Sequence, residues 1–184
     1  DEMEHFFALL HEGRYLLRER SLLRLTTSNA PDSPIYALNE IAVSKHDSSS
    51  MLAIHTSVDG ERLTTYMGDG LLIATPTGST AYSLSAGGPI VAPECGCFLL
   101  TPLAPHGFGM RPVVVPDTSV IELTIHTRLG KAMLSVDNRT YRIGDGTHIK
   151  IRRASEQILL ATPHNISFYE TLHCKMMWDV DIRN

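Results

Sequence analysis

From Ile35 onward the apolar residues recur at every second position in short runs. That period belongs to strands whose side chains alternate between two faces. Ile35, Ala37, Ile41 and Val43 mark one run over Ile35–Lys45. Leu52, Ile54 and Val58 alternate with His55 and Ser57 in the next, and Asp59-Gly60 supplies a hairpin turn. Leu71–Ala74, Val113–Val115, Val120–Ile125, Ala132–Val136, His148–Ile151 and Ile158–Ala161 follow, separated by turn residues. Short strands at this spacing predict a mainly β fold, a sandwich or barrel, and not a βαβ array.

Helical period is confined to the start. Met3, Phe6, Phe7 and Leu10 share one helical face, with acids in the first turn and Gly13 placed to end the helix. Residues 14–27 fit helix or strand equally, and the polar stretch from Thr26 to Pro34, with two prolines, reads as a loop. The division expected is a helical lead-in over 1–30 and a β-rich domain over 31–184.

Composition narrows the function class. The 184 residues carry 43% hydrophobic side chains and a net charge of -4. These values exclude wholesale disorder and argue against a general nucleic-acid binder, which needs a clustered basic face. No apolar run reaches the length of a membrane span, and the acidic start is the wrong charge for a signal peptide. Cys95, Cys97 and Cys174 are too few and too odd in number for a disulfide framework, which favours a reducing, cytoplasmic compartment. Cys95-Gly96-Cys97 falls short of zinc spacing and reads as loop or buried thiols. The nine histidines show no ligand spacing. With no initiator Met, the chain is expected to begin inside a longer protein.

The densest chemical feature is Gly68-Asp69-Gly70, a strand, and then Thr75-Pro76-Thr77-Gly78-Ser79-Thr80-Ala81-Tyr82-Ser83-Leu84-Ser85-Ala86-Gly87-Gly88-Pro89. Six Ser or Thr hydroxyls lie between Thr75 and Ser85, with the Tyr82 phenol among them. Glycines let backbone approach a ligand, hydroxyls grip polar groups, and Tyr82 offers a flat face. Composition alone leaves this segment between a ligand grip and a solvated turn. There is no Gly-Lys-Ser/Thr ending of a P-loop and no Gly-x-Ser-x-Gly elbow. Asn39-Glu40 interrupts an apolar strand, so one of the pair faces inward or into a cleft; a carboxylate there suits a ribose diol, or else marks a strand end in water. Asp69, between two glycines at the start of a strand, reads on local sequence first as a turn acid.

Taken together these strings resemble the signature of the NAD kinases. Gly68-Asp69-Gly70, Thr75 to Tyr82 and Ser83 to Pro89 carry the resemblance, with Asn39-Glu40 upstream. Pro102-Leu103-Ala104-Pro105-His106, Arg111-Pro112 and Ser135-Val136-Asp137 extend it over nearly the whole chain.

The resemblance implies a β-sandwich-like, NAD-binding C-terminal domain of an enzyme that moves phosphate from ATP to the adenosine ribose 2′-hydroxyl of NAD. It implies a divalent metal, expected to be Mg2+, and a homo-oligomer. The family's Gly-Gly-Asp-Gly-Thr motif, whose Asp is the base, belongs in an N-terminal domain outside this chain. No catalytic residue and no metal ligand is therefore expected here, and the 184 residues alone are expected to be inactive. By motif matching, Asn39 and Glu40 contact the dinucleotide, with Glu40 on ribose hydroxyls. Thr77, Thr80, Ala81, Tyr82, Ser83, Leu84, Ser85 and Ala104 line the NAD pocket. Asp69 meets the nicotinamide end, in some members from a neighbouring subunit. Met67 and Ser50 stand where some relatives place a basic side chain or His, and Asn138 and Arg139 near a last ligand contact. A non-catalytic dinucleotide-binding and oligomerisation module would use the same pocket; the sequence before Asp1 separates the two. A related lipid or sugar kinase fits the Thr80–Ser85 string less well.

Ile143-Gly144-Asp145-Gly146-Thr147 differs from the catalytic motif at its first residue. It lies downstream of Asn39-Glu40 and is followed at once by β pattern. It is therefore read as a turn, with no catalytic role for Asp145.

Overall fold

The computed structural model describes residues 2–28, 34–46, 51–128, 130–164 and 166–178. The chain forms α1 (Glu2–His11), β1 (Tyr15–Thr27), β2 (Ile35–Ala37), β3 (Glu40–Lys45), β4 (Leu52–Val58), β5 (Glu61–Gly68) and β6 (Gly70–Ala74). A 3-10 turn (Thr77–Thr80) and α2 (Tyr82–Ser85) follow, then β7 (Cys97–Leu103), β8 (Val113–Pro116) and β9 (Ile121–Thr127). The last elements are β10 (Lys131–Val136), β11 (Arg139–Gly144), β12 (His148–Pro163) and α3 (Phe168–Met176).

The strands make two six-stranded sheets, ordered β2-β1-β12-β9-β4-β5 and β11-β10-β3-β6-β7-β8. Two compact units divide the chain, residues 20–157 and residues 1–19 with 158–184. In the larger unit, Leu23, Leu25, Ile54, Leu123 and Ile149 of the first sheet and Ile41, Val43, Ile73, Leu100 and Leu134 of the second belong to one buried cluster. The mainly β expectation holds, and the sandwich follows from it: each sheet hides one face against the other. On the far side of the second sheet, Ala42, Leu72 and Leu103 form a smaller buried cluster against Ala86, just beyond α2. The smaller unit contains α1 and α3. Ser167 caps α3 by accepting from Glu170 N–H, while the Glu170 carboxylate accepts from Ser167 N–H.

The predicted Asp59-Gly60 hairpin is present: both residues take positive φ, at 52° and 82°, and join β4 to β5. The pattern over Ile35–Lys45 is not one strand. It breaks at Leu38-Asn39, so that β2 enters one sheet and β3 the other. The cause is Asp137, whose carboxylate accepts hydrogen bonds from the amides of Leu38 (2.8 Å), Asn39 (2.9 Å) and Glu40 (3.1 Å). Amides taken by a side chain are lost to a ladder. Residues 14–27, which fitted either period, belong to a strand from Tyr15, and His148–Ile151 and Ile158–Ala161 are parts of the single strand β12.

Candidate functional site

The break at Leu38-Asn39 is the platform on which the hydroxyl-rich segment sits. The Thr75 hydroxyl donates to Leu38 O (2.6 Å) and accepts from Gly78 N–H (3.1 Å), and Thr75 N–H donates to Asn39 O (2.9 Å). Gly78 lies flat on Asn39, and any Cβ there would collide with the Asn39 carbonyl. Thr-Pro-Thr-Gly thus serves first as a clamp between β6 and the β2–β3 connection.

Several hydroxyls of the string are spent internally. Thr75, Ser79 and Ser83 are fully buried. Ser79 Oγ donates to Val91 O (3.2 Å) and accepts from Val91 N–H (3.0 Å), and Ser83 Oγ is 3.0 Å from Thr101 Oγ1. Thr80 Oγ1 reaches Thr77 O at 3.5 Å. Ala81 stands at the start of the short α2 with no side-chain cap bond, and Leu84 is partly buried. These bonds fix the turn that presents Tyr82 and Ser85, both exposed.

Beside that turn a cavity of about 410 Å³ is lined by Ser44, Lys45, Asp69, Tyr82, Ser85, Ala86, Pro102, Leu103 and Ala104. Its size is at the lower end of the ~300–1,000 Å³ of ligand sites. Of the residues expected from the sequence, it brings together Asp69, Tyr82, Ser85 and Ala104 from three separate segments. Asn39, Glu40, Thr77, Thr80, Ala81, Ser83 and Leu84 do not line it. Ala104 takes a positive φ of 39°, a conformation that a small side chain tolerates best.

Sequence reading missed Lys45. It ends β3, where a Lys looks like an ordinary strand terminus. Its ammonium is 2.6 Å from Asp69 Oδ1, placing a cation and an anion together on the cavity wall. The backbones are tied as well: Lys45 N–H donates to Asp69 O and Asp69 N–H to Leu103 O, both at 2.9 Å. Met67 is exposed, and Ser50 lies outside the described residues. The Arg139 guanidinium donates to Tyr36 O.

Glu40 opens β3 opposite Ala74. Its side chain is half-buried, and its Oε2 is buried without a hydrogen-bond partner. Burial, reinforced by the Asp137 carboxylate, pushes its pKa up, and a bond from the Tyr82 backbone amide pulls it part of the way back. A carboxylate held at that cost beside the Tyr82 amide is what a ligand hydroxyl could satisfy.

Asp145 sits in the β11–β12 turn. Its Oδ1 accepts from Thr127 N–H (2.8 Å) and lies 3.8 Å from His126 Nδ1. Among the described residues no group of three or more His, Cys, Asp or Glu could hold a metal ion.

Comparison with known proteins identifies the family. The model of the ATP-NAD kinase C-terminal domain family matches residues 38–162. The NAD kinase of Bacteroides fragilis (strain ATCC 25285) is 44% identical over 185 residues, and that of Cytophaga hutchinsonii 40%; each alignment covers 100% of this chain and 63% of the relative. The chain thus spans about 63% of the length of those relatives. A crystal structure of yeast NADH kinase complexed with NADH superposes with a TM-score of 0.89 at 27% identity, covering 99% of this chain and 56% of that one. An NAD kinase from Archaeoglobus fulgidus in complex with ATP gives 0.76 at 30% identity, covering 96% and 66%. The chain belongs to the ATP-NAD kinase C-terminal domain family.

Proposed function

We propose that this chain is the NAD-binding part of an NAD kinase, which transfers phosphate from ATP to the adenosine ribose 2′-hydroxyl of NAD to make NADP. The observation that carries this reading is the convergence of Asp69, Tyr82, Ser85 and Ala104 on one 410 Å³ cavity, inside the segment matched by the family. Tyr82 supplies a flat face with a polar tip, Ser85 a hydroxyl, and the Asp69–Lys45 pair a fixed dipole for a polar group. The partnerless buried oxygen of Glu40 supports its role in accepting from ribose hydroxyls, and the Asn39 backbone amide, bonded to Asp137, helps hold the connection that carries it.

The reacting base lies outside these residues. The family places it on a Gly-Gly-Asp-Gly-Thr loop of an N-terminal domain. Mg2+ accompanies ATP in this reading. We further propose a cytoplasmic homo-oligomer, in which Asp69 serves its own or a neighbouring subunit. No described helix is long and apolar enough to cross a membrane.

The test is NADP formation from NAD, ATP and Mg2+ by the full-length protein and by the 184 residues alone. The full-length protein is expected to turn over. The isolated chain is expected to bind NAD weakly and form no NADP, because base and electrostatic contributions of about 10²–10⁴-fold each are missing. NADP production by the isolated chain at full-length rates would overturn the assignment of the base.

A further inference from the structure

The only paired thiols in the sequence are Cys95 and Cys97, in a segment the NAD site does not use. Cys97 is the first residue of β7, and its N–H donates to Cys95 O at 3.0 Å. A bond from residue i+2 to residue i closes a γ-turn around Gly96. An extended tripeptide would hold its outer Cα atoms about 7 Å apart, beyond the reach of a disulfide. The turn draws them inward to the range that a disulfide bridges.

Three contacts hold this turn in place. Cys95 N–H donates to Ala92 O (3.0 Å), Asp117 N–H donates to Gly96 O (3.1 Å), and Cys97 pairs with Pro116 across β7 and β8. The buried Asp117 carboxylate is itself tied to Arg153 Nη1 at 2.7 Å. The two thiols differ in access: Cys95 is exposed and Cys97 partly buried.

We propose that Cys95 and Cys97 form a reversible intramolecular disulfide, a redox-modification site driven by small-molecule disulfides of the glutathione class. The exposed Cys95 thiolate attacks one sulfur of the small disulfide and releases one thiol. The Cys97 thiolate then attacks the Cys95 sulfur of the mixed disulfide and releases the second thiol. Two protein thiols and one small disulfide become one protein disulfide and two small thiols. Burial first, then the neighbouring Cys95 and Asp117, pushes the Cys97 thiol pKa up, so Cys97 holds little thiolate and the first attack falls to the exposed Cys95. The small ring closed by a Cys-Gly-Cys disulfide is strained, and strained, exposed disulfides are the easily reduced, labile ones.

The full-length protein, incubated with oxidised glutathione, alkylated and digested with trypsin, tests this. Arg111 precedes Pro112 and resists cleavage, so both thiols lie on the peptide Leu63–Arg128, which lacks Cys174. The expected product is that peptide two hydrogens lighter, unalkylated, and restored by dithiothreitol. With Cys97→Ser the reaction should stop with one glutathione on Cys95. With Cys95→Ser it should slow at least tenfold. Two retained glutathiones, two alkyl groups, or only chain-to-chain disulfides in the folded protein would overturn the proposal. A Cys95→Ser protein that reacts at the wild-type rate would overturn it too.

Discussion

Lys45 Nζ stands 2.6 Å from Asp69 Oδ1 on the wall of the cavity that also contains Tyr82 and Ser85. The pair is partly exposed, and such pairs contribute about 0–1 kcal/mol to stability. Its consequence is therefore positional: it fixes where the Asp69 carboxylate points. Lys45→Met in the full-length protein is expected to leave the melting temperature nearly unchanged and to weaken NAD binding about threefold to tenfold, roughly 0.7–1.4 kcal/mol. Lys45→Arg should recover most of the loss. Calorimetric titration with NAD is the check; an affinity within twofold of wild type for Lys45→Met would remove Lys45 from the site.

Glu40 links binding to stability with opposite signs. Its folded pKa is raised, chiefly by burial and then by Asp137. A raised carboxylate favours the folded state below its unfolded value, near 4.5, and that contribution is lost as pH climbs through the higher folded value. At neutral pH the charge is a burden. Glu40→Gln should therefore melt higher than wild type at pH 7, with the gap closing as pH falls toward 4.5. The same variant should bind NAD more weakly by about 1.5–3 kcal/mol. Melting curves over that pH range and one titration at pH 7 decide it. A variant that melts lower at pH 7 and binds NAD normally would make Glu40 a structural residue.

Asp137 holds the break between β2 and β3 through three amides. Asp137→Ala is expected to cost about 3 kcal/mol, because three donors lose a charged acceptor at once. Asp137→Asn, which keeps one acceptor oxygen, should cost less. Urea denaturation of the full-length protein measures both, and a loss below 0.5 kcal/mol for Asp137→Ala would show that the connection is held by other contacts.

The sheets were legible in the sequence because alternation reports burial directly, as at Leu52, Ile54 and Val58. Residues 14–27 were not, because the run from Leu16 to Leu25 satisfies both periods. The break at Leu38-Asn39 was hidden for a different reason: its cause, Asp137, lies about 100 residues downstream. For the site, motif strings placed Asp69, Tyr82, Ser85 and Ala104 on the cavity. They could not separate the hydroxyls that hold the turn from those left exposed beside the cavity. Ser83 and Ser85 look alike in sequence, yet Ser83 is buried against Thr101 and Ser85 is exposed. The α3 helix carried a readable signal, Ser167-Phe168-Tyr169-Glu170, and the β-dominated reading passed over it.

Asp145 tests whether a motif-like string misleads. Its carboxylate is occupied by Thr127 N–H and faces His126 in a turn. Asp145→Asn in the full-length protein should retain NADP formation within about threefold at saturating NAD and ATP, roughly 0.65 kcal/mol of barrier. A thousandfold loss in a folded protein would make Asp145 the base.

The most direct test of the account is hydrogen exchange of the full-length protein with and without saturating NAD. Slower exchange is expected at residues 38–45, around 69, at 77–86 and at 103–104, the segments that build the cavity and its platform. Calorimetrically proven NAD binding that protects none of these segments, and protects others instead, would contradict it.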